Sequence, residues 1–152
     1  MKIEKVIAKD FNELLEMRIA LDVDQAKMQG KIPELDDVKR KLRKKLKELL
    51  KEKTILFLMA KNETGILGFI MGEVSVSQKG IGWIPDLYVK PGSRGSGIGY
   101  RLLNEILIWL KGKGVNKAWI SVHKRNKVAR HMYKKLGFHQ MLAQYLDLEK
   151  EI

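Results

Sequence analysis

The stretch Asp86-Leu-Tyr-Val-Lys-Pro-Gly-Ser-Arg-Gly-Ser-Gly-Ile-Gly-Tyr100 constrains this chain more than any other segment. A strand-like run enters a loop with glycines at 92, 95, 97 and 99, and a helical pattern starts inside the last of them. Glycine lets the backbone take positive φ and approach a ligand with no Cβ in the way. The unpaired N–H groups of a first helical turn then converge on one point, with the positive end of the helix dipole behind them. Such a turn is an anion site suited to phosphate, and Lys90 and Arg94 add mobile positive charge at its mouth. Spacing excludes two nucleotide loops. A Walker A loop ends in Gly-Lys-Ser/Thr, whereas Gly99 is followed by Tyr100 and Arg101. A dinucleotide GxGxxG built on Gly95 and Gly97 needs its third glycine at position 100.

The rest of the chain frames that loop. Lys2 to Ala8 alternate as a first strand does, and Phe11, Leu14, Leu15, Arg18, Ile19 and Ala20 follow at helical spacing, with Asp10 or Asn12 as cap. Leu35, Val38, Leu42, Leu46, Leu49 and Leu50 form the apolar stripe of a second helix. Its other face carries Lys39, Arg40, Lys41, Arg43, Lys44, Lys45, Lys47 and Lys51. Thr54 to Lys61 reads as a short buried strand, and Asn62-Glu-Thr-Gly65 as a hairpin turn into a strand over Ile66 to Ser77. Gln78-Lys-Gly80 turns again into Trp83 to Val89, a strand that Pro85 interrupts and Pro91 ends. Past the loop, Ile98 to Lys111 places Leu102, Leu103, Ile106, Leu107 and Leu110 on one helical face, with Gly112 as C-cap. Val115 to Val122 is expected as a strand, Lys127 to Leu136 as a helix ending at Gly137, and Phe138 to Leu148 as a terminal strand. The order β-α-α-β-β-β-α-β-α-β predicts a mixed α/β fold around one sheet. A chain of 152 residues fits a single domain, 1–152.

Composition narrows the chemistry. The chain has no cysteine, which excludes disulfides, thiolate metal sites and a cysteine nucleophile. The longest apolar run, Ile55 to Ala60, is too short to cross a bilayer, and Met1-Lys-Ile-Glu-Lys opens no long hydrophobic run. A cytoplasmic chain with no membrane partner is therefore expected. Thirty Lys+Arg against 18 Asp+Glu leave a net charge of +12, which by itself suits nucleic acid, a membrane surface or a phosphorylated small molecule.

Arg94-Gly-Ser-Gly-Ile-Gly99, directly after Asp-Leu-Tyr-Val, closely resembles the Arg/Gln-x-x-Gly-x-Gly/Ala motif of the GNAT family of N-acetyltransferases. A second match follows at the right distance: Asn126, Ala129, Tyr133 and Leu136-Gly-Phe138. The close resemblance covers about Ile84 to Phe138. It implies a mostly antiparallel twisted sheet, splayed between two parallel strands, here Trp83–Val89 and Val115–Val122, with acetyl-CoA as co-substrate wedged between them. On the same resemblance, Leu87, Tyr88 and Val89 lie along the pantetheine arm, with backbone pairing through Leu87 and Val89. The amides of Arg94, Gly95, Ser96, Gly97, Ile98, Gly99 and Tyr100 hold the pyrophosphate, Asn126 bonds the pantetheine region and Tyr133 sits near the sulfur.

The implied reaction moves an acetyl group from acetyl-CoA to a primary amine by direct attack in a ternary complex. Expulsion of a thiolate calls for a donor, and a tyrosine hydroxyl can serve as general acid. That is the role of Tyr133, against the alternative that its ring only packs beneath the sheet. The amine, with a reference pKa near ~10.4, must lose a proton. Glu73 and Asp86 are the candidate bases, or electrostatic anchors for a cationic acceptor. His123, His131 and His139 lack metal-ligand spacing and read as structural or surface residues, so no metal is expected. The acceptor is a small amine or a protein amino group, and acidic residues of the first helices favour a small cationic one. Trp109 beside the apolar stripe of its helix suits a homodimer contact or partly exposed packing. The competing readings are a non-catalytic CoA-binding protein and a basic nucleic-acid-associated protein. For the latter no reading element accompanies the charge, so nucleic acid is not the expected partner.

Overall fold

Five strands, β1 (Lys2–Lys5), β2 (Ile55–Asn62), β3 (Gly65–Val74), β4 (Ile81–Val89) and β5 (Lys117–Ile120), lie side by side in that order. The structure, a computed structural model, describes residues 1–141 and 150. It divides into two units, Met1–Ser121 and Val122–Ile152. Pairing is antiparallel from β1 to β4, and parallel between β4 and β5. The β2–β3 hairpin is set by its turn: the Asn62 carboxamide oxygen accepts from the Thr64 amide at 2.9 Å and hydroxyl at 2.6 Å, and Gly65 takes φ 126°. The turn sets Lys61 opposite Ile66, and a register shift between Lys61 and Ala60 then brings Phe57 opposite Met71 and Met59 opposite Phe69.

Helices α1 (Phe11–Met28) and α2 (Leu35–Leu49) cover one face of the sheet. Leu14, Leu15, Met17, Ile19 and Leu21 of α1, with Leu42 and Leu46 of α2, bury themselves against Phe57, Met59, Phe69, Met71 and Tyr88. Each such side chain contributes about 1.5–3 kcal/mol by leaving water. Successive strand residues alternate in face, so Gly72, next to Met71, looks the other way. There it meets α3 (Ile98–Gly112): a Cβ on Gly72 would stand 2.5 Å from Ile106, and one on Gly82 would stand 2.8 Å from Leu110. Those two glycines let α3 lie flush on β3 and β4, with Leu102, Leu103, Ile106 and Leu110 fully buried. The start of α1 is held by Asp10, which accepts from the Ile7 amide at 3.0 Å and from Lys61 at 3.0 Å.

Two irregularities in β4 shape the molecule. Met71 faces Asp86 and Glu73 faces Trp83, so two steps along β3 answer three along β4, and Ile84 and Pro85 bulge opposite Gly72. Pairing with β5 runs from Ile81↔Lys117 to Ile84↔Ile120 and stops there. Proline has no N–H to extend a ladder, and from Pro85 onward this edge of β4 is open among the described residues.

In the second unit, α4 (Lys127–Lys135) is capped by Asn126, whose side-chain oxygen accepts from the Ala129 amide at 3.1 Å. The helix ends where Gly137 takes φ 89° and the Phe138 amide donates to the Tyr133 carbonyl at 3.0 Å.

The element order expected from the sequence is present as far as α4. Gly112, however, is the last helical residue rather than the cap. The left-handed position falls on Gly114 (φ 81°), and the Val115 amide donates back to the Leu110 carbonyl at 3.1 Å. Val115 thereby belongs to the helix end, and β5 is shorter than its apolar run. The expected terminal strand is not seen over 138–141, and its remainder, 142–148, lies outside the described residues.

Candidate functional site

Between β4 and α3 the chain makes one tight turn at Pro91–Ser93, then opens. Gly95 and Gly97 adopt φ 80° and 82°, a left-handed conformation that costs an L-residue about 1–2 kcal/mol. A Cβ on either would meet no protein atom within 4 Å. Backbone geometry, not internal crowding, therefore demands glycine here, and the space above stays open. Among the described residues none accepts from the amides of Gly95, Ser96, Gly97, Ile98, Gly99 and Tyr100. Six unpaired donors thus cluster at the start of a 15-residue helix. The Arg94 amide is weakly engaged with the Pro91 carbonyl at 3.4 Å.

The positive charge expected at the loop's mouth is partly tied down. Arg94 Nε donates to the Val89 carbonyl at 2.7 Å, Nη2 donates to Asp24 at 3.2 Å, and the guanidinium lies 5.5 Å from the centre of the Tyr88 ring. Arg94 braces the loop against β4 and α1.

The open edge of β4 leads to this turn. The Lys90 amide donates to the Leu67 carbonyl at 2.8 Å. Strand periodicity then directs the backbone groups of Tyr88 toward β3, and those of Leu87 and Val89 toward the open edge. Of these, the Val89 carbonyl is occupied by Arg94. The Tyr88 side chain is core, tilted against Phe69 at 6.5 Å.

The two carboxylates singled out from sequence occupy different environments. Asp86 is buried and pairs with Arg18 of α1 (Nε to Oδ2, 2.9 Å), and Arg18 also holds Asp22. Burial pushes the Asp86 carboxyl above its ordinary range, and Arg18 draws it partway back. Asp86 is thus a strut between α1 and β4. Glu73 pairs in register with Trp83, has no hydrogen-bond or ion-pair partner among the described residues, and lines an open cleft of about 720 Å³ with Ser75, Trp83, Ile84, Pro85 and Ser121. Sequence reading placed Arg18 on an apolar stripe without a role. A cation at that spacing was the available signal of a buried partner.

In the second unit, Tyr133 is buried beside Phe138, ring centres 5.9 Å apart, and burial raises its hydroxyl from 10.0 to about 12. The Asn126 oxygen is engaged in the cap. His123, His131 and His139 are exposed, and His123 Nδ1 accepts from the Arg125 amide at 3.1 Å. Among the described residues no cluster of metal-ligating side chains occurs, and no helix is long and apolar enough to cross a membrane.

The basic face of α2 is partly answered within the fold. Lys39 lies 3.7 Å from Glu16, Arg40 and Lys41 both pair with Asp37, and Arg43 and Lys47 sit 5.9 and 5.8 Å from the Phe11 ring centre.

Together these features define an α/β protein with a phosphate-type amide turn set beside an unpaired, bulged strand edge. The acetyltransferase (GNAT) family profile matches residues 20–138, and the chain belongs to that family. Over 82 residues it is 35% identical to the mycothiol acetyltransferase of Streptomyces avermitilis, covering 54% of this chain and 26% of that protein. Over 56 residues it is 36% identical to the ribosomal protein bS18-alanine N-acetyltransferase of Haemophilus influenzae, covering 37% of this chain and 38% of that one. The matches therefore span well under half of either relative. The solved structure of PaiA N-acetyltransferase from Thermoplasma acidophilum in complex with coenzyme A aligns with a TM-score of 0.75, at 26% identity over 91% of each chain.

Proposed function

We propose that residues 1–152 form one catalytic domain that transfers the acetyl group of acetyl-CoA to a primary amine by direct attack in a ternary complex. The observation that carries this reading is the fan of six unpaired amides from Gly95 to Tyr100, beside the open edge of β4. Oxygens of a pyrophosphate fit such a fan, and the backbone of Leu87 and the amide of Val89 suit an amide-bearing arm lying along the strand. Acetyl-CoA supplies an activated thioester when bound. Glu73 receives the acceptor's ammonium and takes its proton, directly or through water. Asp86 holds β4 in place through Arg18.

Tyr133 serves the leaving thiolate as hydrogen-bond donor. With its hydroxyl pushed up to about 12, it stays protonated through neutral and mildly alkaline pH. It grips its proton more tightly than a thiol titrating near ~8.5. Its main contribution is therefore a hydrogen bond to the developing charge, and solvent completes the reprotonation. The family membership and the coenzyme A complex of the Thermoplasma relative support this assignment. The test is thermal unfolding with acetyl-CoA, NAD and ATP, followed by thiol release from acetyl-CoA in the presence of amines. Acetyl-CoA is expected to raise the melting temperature most; equal shifts from all three would refute the loop assignment.

A further inference from the structure

The cleft at the far end of β3 and β4 carries information about the acceptor. Glu73 and Trp83 are register partners, so their side chains stand on the same face, Cβ atoms about 5 Å apart. The rings of Trp83 and Trp119 stand perpendicular to one another, centres 4.8 Å apart. The cleft lies where β4 bulges at Ile84 and Pro85 and parts from β5. Among the described residues Glu73 is its one ionisable lining residue. In a chain with 30 Lys+Arg, a half-buried carboxylate that no lysine or arginine has captured is set for an external cation. An aromatic wall beside it favours the same charge, since a ring face attracts an ammonium and its adjoining CH2 groups. Ser75 already accepts from the Gln78 amide at 3.1 Å, whereas Ser121 has no partner among the described residues and can bond a hydroxyl or second amine. No lining residue could neutralise a carboxylate on the acceptor, which would stand instead against Glu73.

We propose that the acceptor is a small alkyl or sugar amine without a carboxylate, its ammonium seated on Glu73 and its carbon skeleton against Trp83. This rests on the acetyl-transfer reading above and adds the substrate class to it.

The experiment uses the full chain with two readouts. Tryptophan fluorescence is titrated with 1,4-diaminobutane, glucosamine, glycine and alanine, and thiol release from acetyl-CoA is measured with the same amines and with a short peptide bearing a free α-amine. The diamine or the amino sugar is expected to perturb the fluorescence at tenfold or more lower concentration than the amino acids, with kcat/KM at least tenfold higher. Glu73→Gln, which keeps the shape of the side chain, should raise the half-saturating amine concentration at least tenfold and leave the thermal shift by acetyl-CoA intact. Equal response to glycine and diamine, preference for the peptide, or an unchanged half-saturation in Glu73→Gln would each overturn the proposal. If acetyl-CoA fails to stabilise the wild-type chain, the acetyl-transfer reading falls, while the fluorescence titration still decides whether the cleft selects carboxylate-free amines.

Discussion

At the residue scale, the glycine loop and Tyr133 carry the sharpest expectations. Gly97 sits at φ 82° with open space where a Cβ would be. Gly97→Asp therefore combines backbone strain of about 1–2 kcal/mol with a negative charge at the proposed phosphate site. The expected result is a folded protein of lower melting temperature whose thermal shift with acetyl-CoA is gone. A retained shift would move the pyrophosphate elsewhere. Tyr133→Phe keeps the ring that packs on Phe138 and removes only the hydroxyl. A fall in kcat of about a hundredfold, with unchanged acetyl-CoA affinity, is expected from steady-state kinetics. The sign of the pH dependence follows from the raised hydroxyl: it stays protonated below its ordinary 10.0 and is lost only as pH rises toward about 12. No alkaline fall in kcat below pH 10 should thus come from this group. A rate in Tyr133→Phe equal to wild type would reduce Tyr133 to packing. The glycines at 95 and 97 were legible in the sequence because positive φ leaves few other residues. The unpaired state of Glu73 was not, since a partner on another strand or helix is a long-range fact.

At the element scale, β3, β4 and α3 form the platform for the site. Apolar spacing alone assigns α3, but not its closeness to the sheet, which rests on Gly72 and Gly82. Gly72→Ala places a methyl 2.5 Å from Ile106, and overpacking of this kind costs about 1–3 kcal/mol. A chemical-denaturation midpoint well below wild type is expected, with acetyl-CoA affinity reduced as β4 shifts; an unchanged midpoint would mean that α3 stands further off. The proline at 85 already announced a break in the strand. Only the register shows that the break is a bulge opposite Gly72 and that β5 parts from β4 at the same point. The C-terminal glycine of α3 illustrates the converse: two candidates two residues apart look alike in sequence, and the bond from Val115 back to Leu110 selects Gly114.

For the molecule as a whole, buried charge does the tying. Arg18 links α1 to β4 through Asp86 and holds Asp22 as well. Arg18→Met leaves the Asp86 carboxylate buried without its cation, at a cost of about 3 kcal/mol near neutral pH. The Asp86 carboxyl already lies above its unfolded value, and losing Arg18 raises it further. A group raised in the folded state binds protons more readily there, so stability falls as pH climbs from the unfolded value through the folded one. The variant should therefore be less impaired in mildly acidic than in neutral buffer, and adding Asp86→Asn should restore part of the loss. A pH-independent deficit would point to lost packing alone.

The net charge of +12 takes a different meaning at this scale, because several cations of α2 already face acidic or aromatic groups of α1 and of α2 itself. The element order as far as α4, the amide turn and the family resemblance were already written in the sequence, because these depend on local spacing and on which residues tolerate positive φ. The tertiary structure alone decided which carboxylate is committed to Arg18 and which stands open, where the sheet splits, and where the loop arginine points. Those outcomes depend on neighbours brought together from distant positions along the chain.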